Sequence, residues 1–242
     1  MLLMAKGYPV ISGRIGPVVV CYIKKDNSIV YRSRPKKYKQ TSATVARSGN
    51  FGLASTAGRI LRKRLTPVLP FPKDKIMQGK FSGAISKWMG TTAVADLQPA
   101  ATIPALSQFS FVTETTLEKR WKINITGVTD ASGMQKILIP AFVPATQVVA
   151  PAGCVIVECR FAAAACLLKN GIETGYFETT FGFSMNSELV EEREINPGIH
   201  LVPGTLLVCG IFLIYHLQTN GFKKITNSPK FMPAGVVHAS YH

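Results

Sequence analysis

The sequence predicts a mainly β protein: an antiparallel β-sandwich of about seven strands, preceded by a small α+β module made of a β-hairpin and two helices. Three observations carry that expectation. From Phe109 onward, short apolar runs alternate with turn residues, the rhythm of a sandwich. Near the start, two β-branched runs flank Lys24-Lys25-Asp26-Asn27-Ser28, which has the residue types of a hairpin turn. Between these regions, apolar residues recur at three- and four-residue steps, the period of a helix face.

Composition bounds the rest. With 242 residues and 47% hydrophobic content, the chain has material for one large β domain or two ordinary ones, and a disordered tail is excluded. The formal charge of +15 is concentrated: residues 1–90 hold 18 Lys and Arg against Asp26 and Asp74, whereas residues 91–242 hold 10 basic against 11 acidic side chains. Such asymmetry points to nucleic acid, an acidic membrane face or an acidic protein surface. Cys21, Cys154, Cys159, Cys166 and Cys209 form an odd set without a C-x-x-C pair. They read as buried thiols of a protein made in a reducing cytoplasm, with no zinc spacing to His200, His216, His238 or His242. The N-terminus lacks a signal-like apolar core, and the longest apolar run, Leu206 to Leu217, is too short to span a bilayer.

In chain order, Ile11 to Pro17 is turn-rich, and Val18 to Ile23 and Ile29 to Arg32 are the arms of a hairpin over residues 17–34, or two strands placed elsewhere in a sheet. The second arm runs into Tyr31-Arg32-Ser33-Arg34-Pro35-Lys36-Lys37-Tyr38-Lys39. Pro35 holds that segment extended, so Arg32, Arg34, Lys36, Lys37 and Lys39 are candidate contacts for a polyanion or a neighbouring subunit. A helix is expected from Thr41 toward Leu65, its apolar face formed by Leu53, Ala57, Ile60, Leu61 and Leu65. Arg59, Arg62, Lys63 and Arg64 near its C-terminal end suit the helix dipole and extend the candidate basic surface. Gly49, Gly52, Ser55 and Gly58 recur every third residue, which fits either a kinked surface helix or a close helix contact between subunits. Lys73 to Met89 is the second helix, with Ile76, Met77, Phe81 and Ile85 on one side; Trp88 there is core or a stacking platform for a base.

Thr91 to Leu106 is rich in Ala, Thr and Pro and reads as a linker or an extended crossing strand, so the expected division is 1–90, a linker over 91–108, and a sandwich domain over 109–242. Seven strands are expected there: Phe109–Thr113, Lys122–Val128, Gln135–Val143, Val155–Leu168, Gly175–Met185, Leu206–Leu217 and Val236–Tyr241. Asn170-Gly171 and Asn220-Gly221 are the strongest hairpin turns. Trp121 to Thr126 alternates as a half-buried strand does.

Gly16-Pro17-Val18-Val19, Tyr31-Arg32-Ser33-Arg34-Pro35-Lys36, Thr41, Phe51-Gly52-Leu53-Ala54-Ser55 and Arg62-Lys63 together resemble the N-terminal basic signature of an uncharacterised family of Bacteroidota, over residues 13–90. The resemblance implies a two-part architecture and no chemistry, cofactor or catalytic residue.

No motif for nucleophilic, zinc or nucleotide chemistry occurs in the sequence. The acidic cluster Glu188 to Glu194 reads as a solvated edge, with Glu191, Glu192 and Glu194 as candidate acceptors for the basic segment of another copy. The expectation is therefore a non-enzymatic, cofactor-free, homo-oligomeric structural or interaction subunit, and the alternative is a nucleic-acid-binding protein that neutralises phosphates without reading bases.

Overall fold

Two strands in the second half of the chain are apolar on both alternations, and such strands must be covered on both faces. The computed structural model describes residues 13–23, 28–33, 40–67, 75–112, 114–130, 134–219, 222–226 and 229–242. Among these residues the chain is mainly β, with antiparallel sheets and five helices. The chain divides into two compact units, Met1–Thr41 and Ser42–His242. The helices expected to share a module with the hairpin therefore belong to the second unit.

The first unit contains a sheet of order β1 (Gly13–Ile15), β2 (Val18–Ile23) and β3 (Ser28–Ser33). Gly16, at φ +56°, turns the chain so that Ile15 pairs with Val18, which makes a strand of a stretch expected to be only turn. β2 and β3 pair antiparallel from Val18↔Ser33 to Ile23↔Ser28, as the hairpin expectation requires; the turn residues Lys24 to Asn27 lie outside the described residues. On β2 and β3, Val20 is the one buried residue among the described residues.

The second unit begins with α1 (Ser42–Leu65) and α2 (Lys75–Met89), followed by two one-turn helices, α3 (Pro104–Ser107) and α4 (Leu117–Arg120). Then come β4 (Thr126–Thr129), β5 (Gln135–Ile139), the one-turn α5 (Pro144–Gln147), β6 (Cys154–Leu167), β7 (Ile172–Ser184) and β8 (Arg193–Ile195). β9 (Thr205–Thr219), β10 (Phe222–Ile225) and β11 (Ala234–Tyr241) complete it. β10, β9, β6 and β7 lie in that order in a five-stranded sheet whose fifth member, β11, also pairs with β9; β4, β5 and β8 form a three-stranded sheet, and neither sheet closes on itself.

Alternation along β6 and β9 sorts the core into two layers. Ala162, Ala164, Cys166, Leu206, Val208 and Phe212 face α1 and α2, where Leu61, Leu65, Phe81 and Ile85 meet them. Cys159, Phe161, Leu207, Ile211, Leu213 and Tyr215 face the other way and share a core with Ile137, Ile139 and Ile195 of the smaller sheet. Each Leu, Ile or Phe so buried contributes roughly 1.5–3 kcal/mol. The run Ala162 to Ala165 is buried on both faces, and its short side chains leave room for α1 on one side. Gly58 of α1 closes on α2, where an added Cβ would lie 2.7 Å from Ser82 Oγ; Gly49 and Gly52 meet open space. Of the small-residue stripe, only Gly58 thus serves a close helix approach, and it does so within the chain. Trp88 packs edge-on against Tyr241, ring centroids 5.2 Å apart, as a core aromatic.

Residues 91–108 are not a spacer. Ala100 and Tyr241 exchange backbone hydrogen bonds of 2.8 Å, Ile103 N–H donates to Ala239 at 2.8 Å, and Phe111 N–H donates to Ala234 at 2.8 Å. Ile103 and Leu106 are completely buried. The segment carries a 3-10 turn at Val94–Asp96 and the one-turn α3, and from Ala100 onward it lies along the outer edge of β11 and seals it.

Of the seven expected strands, those around β6, β7, β9 and β11 coincide with the observed ones, and Gln135–Val143 is shortened to β5, which ends at Ile139. Phe109–Thr113 yields only a bridge from Ser110 to Gly235, and in Trp121–Thr126 the odd residues are buried as expected although the ladder starts only at Thr126. The short β8 and β10 were not anticipated. The Asn170-Gly171 turn is observed, with Gly171 at φ +59° and no room for a Cβ beside Thr56. Asn220-Gly221 lies outside the described residues.

Candidate functional site

The basic residues singled out by the sequence separate into distinct settings. Arg32 is exposed on β3 beside Tyr31, itself 70% exposed. Arg34, Lys36, Lys37 and Lys39 lie outside the described residues. Arg59, Arg62, Lys63 and Arg64 all fall in the last two turns of α1. Because 3.6 residues make a turn, Arg59 and Lys63 share one side, where they line a groove with Ile60, Gly171 and Glu173. Arg62 is half-buried, and burial lowers its pKa. Arg64 is already engaged: its Nε donates to Glu173 Oε2 at 2.6 Å, and its guanidinium lies 5.6 Å from the Tyr176 ring centroid. That hydrogen bond and the Glu173 charge raise the Arg64 pKa. The helix therefore presents Arg59 and Lys63 to solvent and uses Arg64 to tie α1 to β7.

The opposite half of α1 differs in kind. From Ser42 to Gly49 every residue is exposed, and Val45 and Phe51 are 55% and 56% exposed. Arg47 stands among them. Burial starts at Asn50, whose Nδ2 donates to the carbonyls of Gly90 at 3.1 Å and Thr92 at 2.9 Å; these bonds hold the mid-point of α1 to the end of α2.

The acidic candidates lie on and before β8. Glu191 and Glu192 are exposed, and the chain leading to them is fixed by reciprocal backbone bonds between Phe142 and Val190. Glu194 is engaged with Lys136 of the neighbouring β5 at 3.0 Å, which raises the Lys136 pKa. Between these carboxylates, Arg193 stacks over the Phe181 ring at 4.8 Å. The edge is thus mixed in charge, and Glu191 and Glu192 are its carboxylates facing solvent.

A polar row absent from the sequence reading crosses the helix-facing side of the large sheet. Glu158 of β6 accepts hydrogen bonds from Arg160 Nε at 2.8 Å and pairs with His216 Nε2 of β9 at 3.0 Å. Burial works against the Glu158 carboxylate, yet the hydrogen bonds from Arg160 and His216 outweigh it, and the pKa is lowered. On β7, the Tyr176 hydroxyl donates to Glu178; burial and this carboxylate push the phenol pKa up. Glu158 and Arg160 at i and i+2 in an otherwise apolar run were the available signal, since that spacing puts both on one strand face.

Of the five cysteines expected to be buried, Cys21 and Cys154 are only half-buried. Cys159, Cys166 and Cys209 are buried in β6 and β9, and burial pushes the Cys166 pKa up to about 12, far from the thiolate a nucleophile needs. Among the described residues, no three His, Cys, Asp or Glu side chains gather as metal ligands, and no helix is long and apolar enough to cross a membrane. No family model, curated protein or solved structure matches this chain.

Proposed function

We propose that this chain is a self-assembling structural or interaction subunit of a homo-oligomeric assembly, a filament, shell or virus-like particle. Its basic N-terminal region contacts neighbouring subunits or a polyanion, and the chain has no catalytic role. The observation that carries this reading is the exposed first half of α1. Two helical turns bearing Val45 and, just beyond, Phe51 have no buried side chain before Asn50. The exposed turns continue a 24-residue helix whose buried face starts at Asn50, so they stand in the right place to be covered by a second surface. The five- and three-stranded sheets, which share a core, serve in this reading as a sandwich-like wall.

A second reading, phosphate binding without base specificity, draws on Tyr31 and Arg32, both exposed on β3 and carried on its two opposite faces. Stacking and charge neutralisation at such a pair are tolerant of sequence.

The test replaces Arg32, Arg34, Lys36 and Lys37 together by Ser. The expected result is an unchanged unfolding transition of the β core with weakened assembly, or weakened retention on a polyanion. Assemblies that survive nuclease and high salt support the structural reading, whereas species that form only with nucleic acid and dissolve in salt support the second. A variant that assembles and binds as the parent does contradicts both.

A further inference from the structure

Among the described residues the outer edge of β7 is unpaired. β7 runs for 13 residues and pairs only with β6. Among the described residues no backbone hydrogen bond reaches its outer side. Natural edge strands are blunted by short length, by lysine, by proline or by a covering segment. The other flank of the same sheet uses these devices: β11 is sealed by residues 100–111, and β10 is four residues long and carries Lys223 and Lys224. β7 contains no Lys, Arg or Pro, and its charges are Glu173 and Glu178.

Two copies of β7 side by side would bring four carboxylates together, which like-charge repulsion disfavours. A basic strand suits the edge better. β3 is itself an edge strand, with Arg32 and Tyr31 exposed, and Val20 is the one buried residue of the β2–β3 hairpin among the described residues. A hairpin so poor in core gains stability by adding to a larger sheet.

We infer that the outer edge of β7 takes β3 of a second copy of this chain, Arg32 being set toward Glu178, so that the large sheet continues across the contact. The inference rests on the assembly proposed above and names its contact. Because different surfaces meet, the contact is head-to-tail and generates rings or filaments.

The experiment uses two charge-reversed full-length chains, R32E and E178K, with thermal unfolding of each to show an intact fold. Each alone sets like charges at the contact, so the concentration at which half the chain is assembled rises about tenfold. An equimolar mixture restores complementary pairs at every contact, and assembly returns toward that of the parent. If both variants assemble like the parent, the β7 contact is refuted and the assembly reading stands. If R32E/E178K in one chain is restored but the mixture is not, β3 binds within its own chain and the inference is refuted. If the parent is monomeric throughout, the assembly reading fails first.

Discussion

The two flanks of the five-stranded sheet received opposite treatment from the same chain. On the β11 flank, residues 100–111 lie along the strand with Ile103 and Leu106 completely buried, and Phe81 of α2 holds them down through Phe109 and Phe111, ring centroids 5.1 and 5.6 Å away. On the β7 flank nothing comparable is present among the described residues, and α1 touches the strand near one end through Arg64 and Glu173. A protein that seals one edge with a dozen residues has the means to seal both. That no described residue pairs with the outer side of β7 is meaningful because the strand lacks the lysine and proline that discourage pairing.

Charge placed on the two flanks separates them most sharply. Ser240→Lys in β11, at a position 1% exposed, buries an unpaired ammonium and costs more than about 4 kcal/mol in denaturant unfolding; a loss under half of that would mean the sealed edge opens readily. Phe81→Ala removes the ring that clamps residues 109–111 and costs about 3–5 kcal/mol, with backbone amides of Ile103 and Phe111 losing protection in hydrogen exchange before those of β6. Uniform loss across the sheet would show that the clamp is not local.

Acid tests the same flank. His238 of β11 is buried with Nε2 unpaired, and burial, with a smaller contribution from His242, lowers its pKa from 6.5 to about 4. The folded state therefore holds neutral His238 where the unfolded chain is protonated, so stability is full above pH 6.5 and is lost as pH falls toward 4. The loss amounts to about 3 kcal/mol. His238→Gln flattens the stability profile in that window; an unchanged slope assigns the acid sensitivity elsewhere. On the β7 flank, Thr180→Lys sets a second cation opposite Arg160 and costs at most about 1 kcal/mol while lowering the assembled fraction. A large stability cost would show that the edge is covered.

The parts legible in the sequence were those whose environment repeats along the chain. β6 and β9 are apolar on both alternations, so their apolar runs alone marked them, and Ala57, Leu61 and Leu65 gave the buried face of α1 by spacing. What escaped depends on partners distant in sequence. Residues 91–108 carry little charge and no period, and only β11, more than a hundred residues later, shows that they close an edge. Arg64 looked like any other cation of its cluster until Glu173, 109 residues away, met it at 2.6 Å. Glu194 was read as a free acceptor because Lys136 sits on another strand. The Glu158–His216 pair spans 58 residues and needed the β6–β9 register to appear. The strands β8 and β10, of three and four residues, are too short to show a period.

The most direct measurement is the mass of the untagged chain by light scattering after nuclease treatment, followed across protein concentration and from low to high salt. Species many times the 26.3 kDa chain that grow with concentration and survive nuclease are the predicted result. A constant mass of one chain under all of these conditions would contradict the account.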